Sequence, residues 1–409
     1  MAFRFVHTAD LHLDSPLRSL ALRDPELAAL VAGASRQVLG RIVDLCLAEA
    51  VDALIIAGDL YDGDATSMKT ARFLADQLGR LDAAGVRVFI IRGNHDAASR
   101  ITRELTLPDA VHVFGARAGV VTLDRPGQRV ALHGLSFRDR HAPDSLLPRF
   151  GAPLPDAVNI GILHSSLGGA EGHDVYAPVR LSELRGTGFD YWALGHIHRR
   201  AVHEGRPLVV MPGIPQGRDM GEAGETSVTL VTVADDGTCS HEARPLAVVE
   251  FARCTVDLRR AEGWRDALER LRAAMSAARA PVRADHLVLR LSLMATGALW
   301  ARLSRDADLL TTEAARIGAA VGNTWIDRVV LDGAAPAPSG GALGELSRIA
   351  AADVLASPAF AAEAEALRAA LQRALPVDCR NAFDMLEPDL APRGVAEVLA
   401  RLTPEGPEG

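Results

Sequence analysis

The chain of 409 residues is poor in aromatic side chains, at 4%, and has four cysteines. Cys46, Cys239, Cys254 and Cys379 lie far apart with no Cys-x-x-Cys pair, which argues against a disulfide framework and a thiolate metal site and leaves them as core thiols. No run of about 18 consecutive apolar residues occurs, and the first nine residues reach Asp10 without a basic segment, an apolar core or a cleavage site. The expectation is a cytoplasmic protein with no membrane association. Surplus positive charge is also missing. A net charge of -8 argues against a wholly basic nucleic-acid coat but is compatible with a local basic patch. No internal repeat of solenoid period is present.

What is present is enough apolar sequence, 48%, for two or three domains, each with its own core. The first 250 residues repeat a short β-branched apolar run, a loop bearing His, Asp or Asn, and a helical stretch. The runs are Phe3 to His7, Ala53 to Ala57, Val86 to Ile91, Val158 to Leu163 and Tyr191 to Leu194. They lead into "TADLH", "GDLYD", "RGNHD", "HSS" and "GHIH". This alternation predicts an α/β sandwich with polar clusters converging outside the carboxyl ends of its strands. Ser15-Pro16 reads as a helix start, and Val38, Ile42, Leu45 and Glu49 as a second helix. From residue 251 to 331 the pattern predicts a smaller α/β domain. Trp264, Leu268, Leu271 and Met275 share a helical face, Leu287, Leu289, Leu291 and Leu293 alternate as in a strand, and a helix through Leu310, Ala314, Ile317 and Val321 leads into "TWIDRVVL". Residues 332–341 read as a linker and 342–409 as a helical tail, in which Ser357-Pro358 opens a helix that Pro376 stops.

Singly, each polar cluster has a bland reading: Asp10 and His12 in a turn, Asp59 and Asp62 capping a helix, His164 in a core. Together Asp10, His12, Asp59, Asn94, His164, His196 and His198 supply seven oxygen and nitrogen donors. One metal needs about three or four protein ligands, and the surplus would be buried polar groups at roughly 1–3 kcal/mol each. Two cations sharing a carboxylate remove that surplus. Asp59 is the natural bridge, each of its oxygens facing one ion. Hard oxygens and imidazoles suit Mn2+, and also Fe2+ or Zn2+. Coordination lowers the pKa of water from about 15.7 to about 7, worth roughly 12 kcal/mol, so such a site would supply hydroxide at neutral pH.

The order "DLH", "GDLYD", "GNHD", "H", "GHIH" over residues 1 to about 230 resembles the calcineurin-like metallophosphoesterases. "HTADLHLDSP", "YWALGHIH" and "PGIPQGRD" resemble the bacterial YhaO-type relatives of SbcD, a nuclease subunit of double-strand-break repair complexes. The resemblance implies a four-layer α/β/β/α domain over residues 1–250. It also implies one metal on Asp10, His12, Asp59 and His198, another on Asp59, Asn94, His164 and His196, and His95 beside the scissile phosphate with Asp96 orienting it. It implies DNA as substrate, an SbcC-like coiled-coil ATPase as partner and a homodimer. "EGHDVYAP", residues 171–178, follows the YhaO type and not SbcD.

Weaker signals stay open. Arg218 could contact a substrate phosphate or be a surface residue, Asp62 could hold a site residue or a turn, and His173 and Tyr176 could meet nucleic acid or pack in their loop. His7, His133 and His203 receive no function. The leucine face Leu367, Leu371 and Leu375 is expected to pack on its own chain, or by resemblance on the ATPase. The first functional expectation is a two-metal phosphodiesterase acting on DNA, as exonuclease or also endonuclease. Its alternatives are a small-molecule phosphatase or pyrophosphatase and a non-catalytic scaffold subunit.

Overall fold

A computed structural model of the chain describes residues 2–15, 24–62, 67–97, 107–168, 176–334, 341–374 and 390–402. The helix start at Pro16, and His173, Leu375, Pro376 and Cys379, lie outside the described residues. The chain divides into two compact units, Met1–Ala252 with Val282–Val288, and Arg253–Pro281 with Leu289–Gly409. No helix among the described residues is long and apolar enough to cross a membrane, and Cys46, Cys239 and Cys254 are free thiols.

The first unit runs β1 (Phe3–Thr8), α1 (Pro25–Ala48), β2 (Ala53–Ala57), α2 (Met68–Ala83), β3 (Arg87–Ile91), β4 (Val111–Val113), β5 (Gly119–Arg125), β6 (Gln128–Gly134), β7 (Val158–His164), α3 (Leu181–Arg185), β8 (Tyr191–Gly195), β9 (Ala201–His203), β10 (Leu208–Met211), β11 (Val228–Val233) and β12 (Cys239–Arg244). They form two six-stranded sheets, ordered β12-β11-β1-β2-β3-β4 and β5-β6-β7-β8-β10-β9. Neighbours from β1 to β4 and from β6 through β7 and β8 to β10 are parallel, while β11, β12, β5 and β9 add antiparallel edges. Central parallel strands are buried on both faces, which is why "ALIIA" and "IGIL" are continuous apolar runs.

Phe3, Phe5, Ile55 and Phe89 of the first sheet pack between the layers on Leu132, Ile160, Tyr191 and Val210 of the second. The rings of Phe5 and Tyr191 meet edge-on at 5.2 Å. Each such buried side chain contributes about 1.5–3 kcal/mol. On the outer face of the first sheet, α1 packs on β1 and α2 on β3. The Asp24 carboxylate caps α1 by accepting from the backbone N–H of Glu26 and Leu27, both at 3.0 Å, with Pro25 in the first turn. The second sheet is covered by short α3 and by loops that bring Phe137, Phe150 and Phe189 into the cluster around Trp192. The α/β/β/α layering therefore has a thin fourth layer.

The second unit carries a three-stranded sheet of β13 (Val249–Asp257), β14 (His286–Thr296) and β15 (Thr324–Ala334), with the division between units falling inside β13 and β14. Its helices are α4 (Trp264–Arg279), α5 (Gly297–Arg305) and α6 (Ala307–Val321), then α7 (Gly341–Ile349) running into a π-helical turn Ala350–Leu355, α8 (Pro358–Ala374) and α9 (Leu390–Leu402). Leu271 and Met275 of α4 and Leu310, Ala314 and Ile317 of α6 are buried where these helices meet. Ser357 Oγ accepts from Phe360 N at 3.1 Å and opens α8 as its Ser-Pro pair predicts. Leu367 and Leu371 do not pack on the chain as expected. They are 61% and 43% exposed, because α8 presents nearly all of its surface to solvent.

Candidate metal centre

The polar clusters all follow carboxyl ends of central strands: Asp10 and His12 after β1, Asp59 after β2, Asn94 and His95 after β3, His164 closing β7, His196 and His198 after β8. The loops after β1 and β2 are held to each other by the backbone N–H groups of Asp10, His12 and Leu13, which donate to the carbonyls of Gly58, Asp59 and Leu60, each at 3.0 Å. Their geometry is strained. Asp10, His12, Asp59 and His196 have φ of 53, 42, 51 and 104°, conformations that cost non-glycine residues on the order of 1–3 kcal/mol each and cluster at functional sites.

Two glycines of the motifs have steric reasons. A Cβ on Gly93 would lie 2.2 Å from Asp59 Oδ1, and one on Gly58, which also has φ of 95°, would lie 2.4 Å from His164 Nδ1. Both leave room for backbone to press against the buried carboxylate and imidazole.

The expected donors converge in two groups, Asp10 with His12 and His198, and Asp59 with His164 and His196, while a third group joins His12 to Asp62 and His95. In the first, the Nε2 atoms of His12 and His198 face each other at 3.2 Å, and Asp10 accepts the His196 backbone N–H at 3.0 Å. In the second, His164 Nε2 lies 3.0 Å from Asn94 Oδ1 and 3.3 Å from Asp59 Oδ2. Asp59 Oδ2 is also 3.9 Å from His12 Nε2. The same oxygen therefore faces both groups. The other oxygen, Oδ1, accepts the His95 backbone N–H at 3.0 Å.

These residues fit a cation. His164 Nδ1 is 2.9 Å from the Ala57 carbonyl and donates to it, which leaves Nε2 as an acceptor facing two oxygen acceptors. Three acceptors on one point require a positive charge, whether a proton or a metal ion. The electrostatics agree. Burial works to lower His164, but the neighbouring Asp59 carboxylate holds it up at about 9. Burial works to raise Asp59, and His164 and His12 outweigh it and keep the carboxylate well below its usual range. Burial, with the Arg218 charge, pushes His12 down to about 3, so this ring is neutral as a ligand must be.

The histidine beside this centre is oriented differently from expectation. His95 Nδ1 bonds Asp62 Oδ1 at 2.6 Å, and this bond, against burial, raises the imidazole. Asp96 does not orient it. The chain turns at residues 94–97, so the Asp96 carboxylate points back and accepts the N–H groups of Leu60 at 3.0 Å and Tyr61 at 2.9 Å. Burial and then the Asp59 charge push Asp96 up to about 7. Arg218 lies at the site but is engaged with Glu222, its Nη2 donating to Oε1 at 2.5 Å. Tyr176 packs its ring edge-on against His196, with centroids 5.4 Å apart. His7 and His133 are internal, bonded to Tyr191 and Asn159. Glu222 was missed by the sequence reading. It accepts from His198 Nδ1 at 2.7 Å, yet as a single Glu in "RDMGE" it carries no motif.

The model of the calcineurin-like phosphoesterases matches residues 3–200, and that of the middle domain of metallophosphoesterase YhaO matches residues 251–334. The "Uncharacterized metallophosphoesterase YhaO" of Bacillus subtilis is 32% identical over 299 residues, 72% of either chain. The chain belongs to the calcineurin-like metallophosphoesterases. It is similar to YhaO across both units. The similarity to "DNA double-strand break repair protein Mre11" of Methanopyrus kandleri is weaker, at 26% over 61% of this chain and 54% of that protein. The SbcD component of the nuclease SbcCD from Bacillus subtilis is 26% identical over 56% of this chain and 66% of the relative. This metallophosphoesterase thus spans about half the length of that Mre11 and two thirds of that SbcD. Its family hydrolyses phosphoesters at a dinuclear metal centre, a chemistry that the two donor groups around Asp59 suit.

Proposed function

We propose that this metallophosphoesterase hydrolyses phosphodiester bonds in DNA, as an exonuclease with endonuclease action as a variant, using two divalent cations, Mn2+ first and Fe2+ or Zn2+ second. The observation that carries the reading is the single oxygen, Asp59 Oδ2, set between His12 and His164. Asp10, His12, Asp59 and His198 would hold one ion, and Asp59, Asn94, His164 and His196 the other. When bound, the ions supply acidified water and positive charge for the phosphoryl oxygens. The chain's own residues do the rest. His95, whose side chain is 40% exposed beside the centre, would protonate the leaving oxygen, with Asp62 fixing its ring. Arg218, held on Glu222 through Nε and Nη2 with Nη1 3.5 Å from Ser15 Oγ, would bring its positive charge to a substrate phosphate.

The Mre11 and SbcD relatives support DNA as the polymer and, with the exposed leucines of α8, an SbcC-like coiled-coil ATPase as partner. A homodimer and a cytoplasmic location complete the proposal. The net charge of -8 favours a second reading, a soluble phosphoester or pyrophosphate as substrate. Labelled single- and double-stranded DNA, a chromogenic phosphodiester and a nucleotide monoester, assayed with and without Mn2+, separate the two. Cleavage of DNA with salt-sensitive binding supports the first. Turnover of the monoester alone supports the second.

A further inference from the structure

Resting on the two-metal reading above, we propose that Glu222 is a positioning residue for the metal ligand His198, and that Arg218 locks it there. His198 Nδ1–H donates to Glu222 Oε1 at 2.7 Å. This bond fixes the tautomer in which Nε2 keeps its lone pair, turned toward His12 Nε2 at 3.2 Å. A carboxylate on the far nitrogen of a ligating imidazole fixes the ring's orientation and raises its basicity. His12 has no such support, since its Nδ1 is buried without a hydrogen-bond partner among the described residues. Control of the site shared by these two rings therefore falls on Glu222.

The carboxylate is held on several sides. Arg218 N donates to Oε2 at 2.8 Å, Nε donates to Oε1 and Oε2 at 3.1 and 3.2 Å, and Nη2 donates to Oε1 at 2.5 Å. The backbone is set by the short turn Met220–Glu222, which Asp219 caps by accepting Gly221 N at 2.7 Å and Met220 anchors by burial. An ion pair of this kind in open solvent contributes little. This one is different in placement: the Glu222 and Arg218 side chains are 11% and 23% exposed, and one acceptor oxygen is shared with His198.

The lock also reaches the other side of the site. Arg218 Nη1 lies 3.5 Å from Ser15 Oγ and 3.9 Å from Asp62 Oδ2. Ser15 Oγ–H donates to Asp62 Oδ2 at 2.6 Å, and Asp62 Oδ1 bonds His95 at 2.6 Å. One connected set of side chains thus runs from the ligand His198 to the proton donor His95.

Calorimetric titration of the full metal-free chain with Mn2+ tests this. Wild type binds two ions. Glu222→Ala is expected to weaken one of them about 10- to 100-fold and spare the other, with an unchanged metal-free melting temperature. Glu222→Gln, which keeps an acceptor without the charge, should fall between, and it carries the test if the alanine variant does not fold. Arg218→Gln should shift the same ion in the same direction by less. Two wild-type affinities in Glu222→Ala would overturn the inference and leave the two-metal reading standing. So would equal weakening of both ions together with a lowered metal-free melting temperature, the mark of a purely structural role. A wild-type chain that takes up no Mn2+ sinks both.

Discussion

The two units place their unusual residues in opposite ways. In the first, charged and polar side chains such as Asp10, His12, Asp59, Asn94, Asp96 and His164 are buried at strand ends, where a solvated position would cost nothing. In the second, apolar side chains lie in water: apart from Met68 and Val120, the large exposed hydrophobics described are Leu309, Leu346, Val354, Leu367, Leu371, Leu390, Val398 and Leu402. Metal-ligand clusters among the described residues fall entirely in the first unit. Buried polar groups need ligands, and exposed apolar groups need cover. On the proposed reading, chemistry therefore falls to the first unit and docking to the second.

That contrast can be broken first at Asp59. Asp59→Ala removes the oxygen common to both donor groups, and Mn2+ binding at both sites and nearly all activity should vanish. Retention of two ions at wild-type affinity would contradict the bridge. Next comes the proposed proton donor. His95→Ala should bind Mn2+ normally and lose about 10²- to 10⁴-fold in rate. Asp62→Asn should mimic it in part, in kcat and its pH profile, whereas Asp96→Asn should act on the loop at Leu60 and Tyr61 and be read as lost stability, about 1–3 kcal/mol. An Asp96 variant that matched His95→Ala in kcat while keeping full stability would restore the role that the hydrogen bonds deny it.

A smaller effect lies in the buried histidine between the sheets. His7 bonds the Tyr191 hydroxyl and the Leu194 carbonyl, and burial lowers it to about 3. The unfolded chain takes up this proton below about 6.5 and the folded chain resists until about 3. The stability it contributes is therefore complete above 6.5 and is lost as the pH falls from 6.5 toward 3. Urea unfolding of His7→Gln beside wild type across that window should show a shallower acid loss in the variant. Smallest of all on catalysis is Leu367→Ser with Leu371→Ser. Mn2+ binding and hydrolysis of a chromogenic phosphodiester should stay within about twofold, surface changes being worth about ±0.5 kcal/mol, while association with a coiled-coil ATPase should fall. An equal loss of hydrolysis would erase the division between the units.

The strands that carry the site were legible because parallel strands buried on both faces leave largely apolar runs, each ending in a polar string, with glycine in three of the five. The antiparallel edges were less so: β5 alternates half-buried and exposed positions, and β9 is three half-buried residues. Within the site, the seven donors could be named because each sits in a short local motif. The resemblance gave His95 the partner Asp96, but Asp62 and Asp96 both lie in such motifs and only the turn at residues 94–97 decides which carboxylate reaches the ring. Glu222 was illegible for a different reason. It stands 24 positions from His198, joined to it by the path of the loop after β10 and not by any spacing. Which oxygen of Asp59 faces both His12 and His164 depended likewise on the His95 N–H, a backbone bond without a residue signature.

The most direct test is anomalous diffraction at the manganese edge from crystals of the full chain soaked in Mn2+. The account predicts two peaks about 3.5–4 Å apart, one ringed by Asp10, His12 and His198, the other by Asn94, His164 and His196, with Asp59 Oδ2 touching both. A single peak, or none within reach of Asp59, would contradict it.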